Sequence, residues 1–145
     1  MTNLAAFFAH NKKKNGNIKR AVSKNFVDEQ GKPIEWEFAP VSPERDAELK
    51  SESTKRSLIT QGKRKGQYNT DFDHFKYQRL LTVESIVFPN LNDKELQDSY
   101  GVMGADVLLG KMLTIGEIAE AAAAAQEANG YEAELEDLVE EVKNS

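Results

Sequence analysis

Asp28-Glu29-Gln30-Gly31-Lys32-Pro33-Ile34-Glu35-Trp36-Glu37-Phe38 reads as a tight turn followed by an alternating strand. Gly31 and Pro33 punctuate the turn. Ile34, Trp36 and Phe38 then fall on one face and Glu35 and Glu37 on the other, the period of two that marks a half-buried strand. Val22, Phe26 and Val27 precede the turn, so residues 20–41 predict a β-hairpin that Pro40 ends. A strand pair this early fixes the class as α+β, because most of the chain beyond Pro40 is patterned as helix.

Ser42-Pro43-Glu44 is a helix start with a cap, proline at the first position and an acid near the positive end of the dipole. That helix is expected to run to about Thr54 on the surface, since it carries few apolar residues. Residues 57–69 predict a second hairpin with Gly62-Lys63-Arg64-Lys65-Gly66 at its tip. From Asp71 the pattern turns helical: Phe72, Phe75, Leu80, Val83, Ile86 and Val87 recur at helical spacing until Pro89. Asn92 with Glu95 has capping-box spacing for a short helix closed by Gly101, and residues 105–113 continue as another. Thr114 and Glu117 form a capping box that opens a helix through the alanine run, closed by Asn129-Gly130. Tyr131, Leu135, Leu138, Val139 and Val142 share one stripe of a final helix, residues 131–143, whose other face is acidic. In front, residues 2–10 suggest a short helix, and Lys12 to Gly16 a break. The expected organisation is a leader over 1–19 and one domain over 20–145, with hairpins and a surface helix in 20–70 and a bundle of short helices in 71–145. The fold class is thus α+β, mainly α-helical.

Composition narrows the chemistry. The chain has 145 residues, 39% of them hydrophobic, enough for one core. It has no cysteine, which rules out disulfides, thiolate metal sites and a cysteine nucleophile and fits a reducing compartment. No apolar run approaches the ~18 residues of a membrane span, and no secretory signal is read at the front. The net charge of −5 conceals a division: residues 1–79 hold 16 Lys and Arg against 10 Asp and Glu, and residues 80–145 hold 3 against 14. A chain charged +6 in front and −11 behind can fold its halves together, associate head to tail, or offer an acidic face to a basic partner.

No catalytic, cofactor-binding or metal-binding constellation emerges. Asn69, Asp71 and Asp73 have the first spacings of a calcium loop, but His74 stands where its glycine belongs and Leu80 where its glutamate belongs. His10 and His74 are the only histidines and lie far apart in sequence. Gly62 to Gly66 is basic but lacks the Lys-Ser/Thr ending of a phosphate loop. Nucleic acid is disfavoured as a partner: the chain is acidic overall, and no aromatic residue interleaves with Lys12 to Lys14 or Lys63 to Lys65. What stands out instead is Tyr100, Val102, Met103, Leu108, Leu109, Met112 and Leu113, seven apolar or aromatic residues within fourteen positions. That density serves either a core or a partner-binding surface.

Leu96-Gln97-Asp98-Ser99-Tyr100-Gly101-Val102-Met103-Gly104-Ala105 is the most distinctive stretch. With Gly116-Glu117, Asn129-Gly130, the terminal Leu138-Val139-Glu140-Glu141-Val142-Lys143, and Ser23-Lys24-Asn25-Phe26, Gly31-Lys32-Pro33 and Trp36 in front, it closely resembles the XkdN-like tail assembly chaperones of contractile-tailed phages and defective prophages of Gram-positive bacteria. The resemblance spans roughly residues 20–144. It implies a non-enzymatic protein of the host cytoplasm, absent from the mature virion, that keeps the tape measure protein soluble until tail tube subunits displace it. Its implied partners are the tape measure protein, then the tail tube protein and a second copy of the chain. The alternatives are a tail or baseplate component retained in the virion, and a small nucleic-acid-binding regulator using the two lysine clusters.

Overall fold

The computed structural model describes residues 3–131. The alternating strand keeps its period but not its expected partner: it pairs with residues 18–20, within the expected leader, while the Val22 to Val27 stretch makes only a bridge from Val27 to Pro33. β2 (Trp36–Phe38) lies antiparallel to β1 (Ile18–Arg20), with Ile18 opposite Phe38 and Arg20 opposite Trp36. Trp36 and Phe38 are 2% and 0% exposed, while Glu35 is exposed and Glu37 half-exposed, so the inward and outward faces are those the alternation sets. The expected turn closes a smaller hairpin at the tip of the same loop. Ile34 N–H donates to the Phe26 carbonyl at 2.8 Å, Asp28 Oδ1 accepts from the Gln30 and Lys32 amides, and Gly31 takes φ 79°.

The third strand of this sheet was not expected. β5 (Ile86–Phe88) pairs antiparallel with β2 in the order β1-β2-β5, with a one-residue irregularity between Glu37 and Phe38. The helical reading of residues 72–87 is therefore corrected at both ends. The helix α2 spans His74–Ser85 only, capped by Asp73, whose carboxylate accepts from the Lys76 amide; Phe72 belongs to the second hairpin and Ile86 and Val87 to β5. Ile-Val-Phe is a short run of β-branched and aromatic residues, and periodicity alone does not separate a buried strand from a buried turn of helix.

The remaining elements follow their local signals closely. α1 (Pro43–Glu52) starts at the Ser42 cap and buries only Leu49. The second hairpin is β3 (Thr54–Leu58) against β4 (Tyr68–Phe72), a separate two-stranded sheet. α3 (Lys94–Ser99) is capped by Asp93, one residue beyond the expected Asn92. α4 (Ala105–Met112) follows, and α5 (Ile115–Ala128) has the Thr114–Glu117 capping box in full. Ahead of β1 the expected helix is replaced by two 3-10 turns, Ala5–Phe7 and Ala9–Asn11. Leu4 and Phe7 are 69% and 84% exposed there, and a short helix with no surface to pack on is marginal in water. The expected final helix over 131–143 lies outside the described residues. Among the described residues helix exceeds strand, 43% against 16%, and the fold is α+β with strands in front and helices behind.

One core joins these pieces: Trp36, Phe38 and Ile86 from the sheet meet Leu91, Leu108, Leu109 and Leu113, with Ala121, Ala124 and Ala125 of α5. The buried alanines carry no side chain beyond Cβ, so α5 backbone sits close against its neighbours. Asn129, expected only as a helix end, also ties three elements. Its amide donates to the Ala125 carbonyl at 2.8 Å and to Ser85 Oγ at 3.0 Å, and its Oδ1 accepts the Val41 N–H at 2.7 Å. Asn129→Ala leaves the Val41 amide without its acceptor and should cost about 1–3 kcal/mol in chemical denaturation; Asn129→Asp keeps that acceptor but sets a carboxylate oxygen against the Ala125 carbonyl at the negative end of α5, and should cost at least as much.

α1 and α2 are joined by the Arg45–Glu84 ion pair at 2.6 Å and by a hydrogen bond to Asp46, whose charge Lys50 of the same helix supports. Tyr77 donates its hydroxyl to Asp46 Oδ1, and Lys50 Nζ lies 2.9 Å from Asp46 Oδ2. Burial raises the Asp46 carboxyl, but the Tyr77 hydroxyl and the Lys50 ammonium outweigh it and hold the group below its ordinary 3.8. A carboxyl depressed on folding stabilises the protein above its unfolded value, and the contribution is lost as pH falls through the folded value. Tyr77→Phe should therefore flatten the dependence of melting temperature on pH below about 4, where the parent loses stability more steeply.

Candidate partner-binding site

A group of apolar residues gathers beside the edge strand β5. The hairpin tip contributes Phe26 and Ile34, and β2 contributes Trp36 as the floor. The end of β5 and the chain after it contribute Phe88 and Pro89, joined by a cis peptide bond. Leu96, Ser99 and Tyr100 come from α3 and its C-cap, and Met112 from the last turn of α4. Together they line an open groove of about 510 Å³. Phe26 and Trp36 are set at a 59° tilt with ring centroids 6.3 Å apart, so the floor is aromatic and rigid. Phe88 stands on the rim, 51% exposed, with Val87 beside it at 46%. None of the nine lining residues carries a charge.

Local chemistry explains why these residues meet. Gln97 fixes the α3 turn on both sides: its Nε2 donates to the Leu91 carbonyl at 2.8 Å, and its Oε1 accepts the Gly104 N–H at 3.1 Å. Gly101, at φ 68°, turns the chain directly after Tyr100, a conformation that glycine adopts without Cβ strain. The wall carrying Leu96 and Tyr100 is thereby pinned to Leu91, which is buried in the core.

The seven residues singled out in the sequence separate here. Tyr100 and Met112 line the groove. Val102 is half-buried against the core, and Met103 is 91% exposed outside the groove lining. Leu108, Leu109 and Leu113 are 0%, 1% and 6% exposed and belong to the core, where no docked partner reaches them. The larger share of the apolar density in 100–113 is thus packing, and two of its residues line the groove. Phe26, Ile34, Phe88 and Pro89 carry no partner-binding signal in the sequence; Phe88 is legible only once β5 is known to be an edge strand.

A groove lined by aromatic and aliphatic side chains, with the Ser99 and Tyr100 hydroxyls as its polar side-chain groups, offers an apolar surface for binding. Among the described residues no three His, Asp or Glu side chains come together as a metal site, and no helix is long and apolar enough to cross a membrane.

Comparison with known proteins agrees with the resemblance carried by residues 96–105. Residues 4–143 match the family model of the phage XkdN-like tail assembly chaperone protein. The chain is 34% identical over 128 residues to the phage-like element PBSX protein XkdN of Bacillus subtilis strain 168, covering 88% of this chain and 84% of that protein. It is 32% identical over 124 residues to the uncharacterized protein YqbN of the same organism, covering 85% and 80%. The crystal structure of YqbN superposes with a TM-score of 0.72 over 90% of this chain and 98% of that one, at 23% identity in the structural alignment, so it shares the fold. With the family model spanning nearly the whole sequence, the chain belongs to the XkdN-like family of phage tail assembly chaperones.

Proposed function

We propose that this chaperone holds the tape measure protein of a phage tail in the groove floored by Trp36, without catalysis, and gives it up when tail tube subunits polymerise around it. The observation that carries the reading is the uncharged, open groove, with Phe88 half-exposed on its rim. A long, apolar tape measure is prone to aggregate, and a groove of this kind covers one apolar stripe at a time. The occupant is an amphipathic helix rather than an added strand. β5 has three residues, and Pro89 directly after it has no N–H to extend a ladder. Binding that rests on apolar contact with few hydrogen bonds is reversible, as displacement requires. The complex forms in the host cytoplasm, and the chaperone does not stay with the finished particle.

Co-expression with the tape measure protein of the same phage or prophage tests the reading. The tape measure should stay in the soluble fraction only when the chaperone is present, and mass spectrometry of purified particles should find no chaperone. A chaperone that persists in particles at a fixed ratio to tail proteins would instead make it a structural component of the tail or baseplate.

A further inference from the structure

Among the described residues the hairpin β3–β4 buries neither face: of its ten strand residues nine are exposed, and only Phe72, packed on Tyr77 at the root, is half-buried. A two-stranded ribbon that buries no face is marginal on its own, and its open edges invite pairing. Between residues 54 and 72 it carries Lys55, Arg56, Lys63, Arg64 and Lys65 against the single acid Asp71. Among the described residues none of these five cations has a carboxylate within 4.0 Å; Arg56 instead lies over the Tyr68 ring at 4.3 Å. Leu58 and Tyr68, opposite one another in the register, are 55% and 54% exposed. The arm therefore offers an apolar pair within a field of unpaired positive charge.

The chain itself holds a segment of complementary composition. Residues 132–143 contain six acids against Lys143, together with Leu135, Leu138, Val139 and Val142 at spacings of three, four and seven. This segment starts beside the chain that leads into the arm. After α5 the Gly130 and Tyr131 amides bond back to the Glu127 and Gln126 carbonyls, both at 3.0 Å, which reverses the chain. Asn129, just ahead of it, accepts the Val41 N–H, and Val41 enters α1, whose C-terminal end leads into β3. At the root of the arm Phe72 packs on Tyr77 of α2, with ring centroids 5.6 Å apart. Twelve residues span up to ~40 Å extended, more than the ~15 Å of α1 and the ~17 Å of a five-residue strand together, so the segment reaches along the arm. The two apolar grooves compete poorly for so acidic a segment. The one at β5 has no cation, and the one between α2 and α5 has Arg79 alone.

We propose that the β3–β4 arm is the docking site of the chain's own acidic segment 132–143, held by charge and by an apolar contact at Leu58 and Tyr68. The tether raises the segment's effective concentration at the arm to about millimolar, well above that of a second copy at micromolar protein. This pairing is independent of what the groove at β5 binds.

Because the chain has no cysteine, a single engineered pair reports the contact. Thr70, opposite Arg56 in the register, is exposed and shares a face with Leu58 and Tyr68. In the full-length chain, Thr70→Cys with Asp137→Cys should form an intramolecular disulfide at least about tenfold faster than Ile115→Cys with Asp137→Cys, a control at the exposed start of α5, ~21 Å back along that helix. The advantage should shrink severalfold at about 0.5 M salt, where the screening length is roughly 4 Å, and on Lys63→Glu with Arg64→Glu and Lys65→Glu. Equal rates for the two pairs would overturn the proposal, as would a rate indifferent to salt and to charge reversal. A disulfide formed only between chains would also overturn it, and would assign the arm to a second copy.

Discussion

Trp36→Ala is expected to lower the unfolding free energy by about 3–5 kcal/mol, the range for deleting a large aromatic side chain from a packed core. Against the ~5–15 kcal/mol that stabilises a typical domain, this removes a large fraction, and the melting temperature should fall by roughly 10–15 °C. The residue is 2% exposed, stands opposite Arg20 in the sheet, and packs on Phe26 beneath the groove. Calorimetry or denaturant titration checks the value, and Trp36→Phe should recover part of it. A Trp36→Ala protein that melts like the parent but no longer binds would show that the indole is a contact for the partner and not a support of the sheet.

Phe88→Glu should have the opposite profile. Phe88 is half-exposed on an edge strand, so the fold should tolerate a polar residue there, with melting close to the parent. Binding should suffer heavily, because a carboxylate would be driven into an uncharged groove. A loss of about 2 kcal/mol, roughly 30-fold in Kd, is expected for an anchor residue of this kind. In co-expression this should return most of the tape measure to the insoluble fraction. Phe75→Glu is the matched control: Phe75 is 83% exposed and lines the separate groove between α2 and α5. If both substitutions weaken the complex equally, the effect is one of general surface apolarity and the groove at β5 has no special part in it.

The contrast between these two phenylalanines shows where reading a sequence runs out. Elements written in consecutive residues were legible: the Ser42-Pro43 start of α1, the alternation through Trp36 and Phe38, the Thr114–Glu117 box, and the Gly130 turn. Each is a local device whose energy depends on neighbours within a few positions. β5 was not legible, because Ile86-Val87-Phe88 becomes a strand only through pairing with Glu37 and Phe38, some fifty residues earlier. The groove inherits that limit. Its walls come from the hairpin tip, β5, α3 and the end of α4, so Tyr100 and Met112 could be suspected from composition while Phe26 and Phe88 could not. Leu108 and Leu109 carry the reverse lesson, since their neighbours in the core are set by tertiary packing and no spacing distinguishes them from contact residues.

Hydrogen exchange of the chaperone, alone and in its soluble complex with the tape measure, tests the placement of the partner most directly. Protection gained on binding should concentrate in residues 26–36, 86–89 and 96–100 and around Met112, with no gain in the solvent-facing turns of α1. Protection confined to other surfaces, or none at all in a complex shown to be intact, would contradict the groove as the seat of the tape measure.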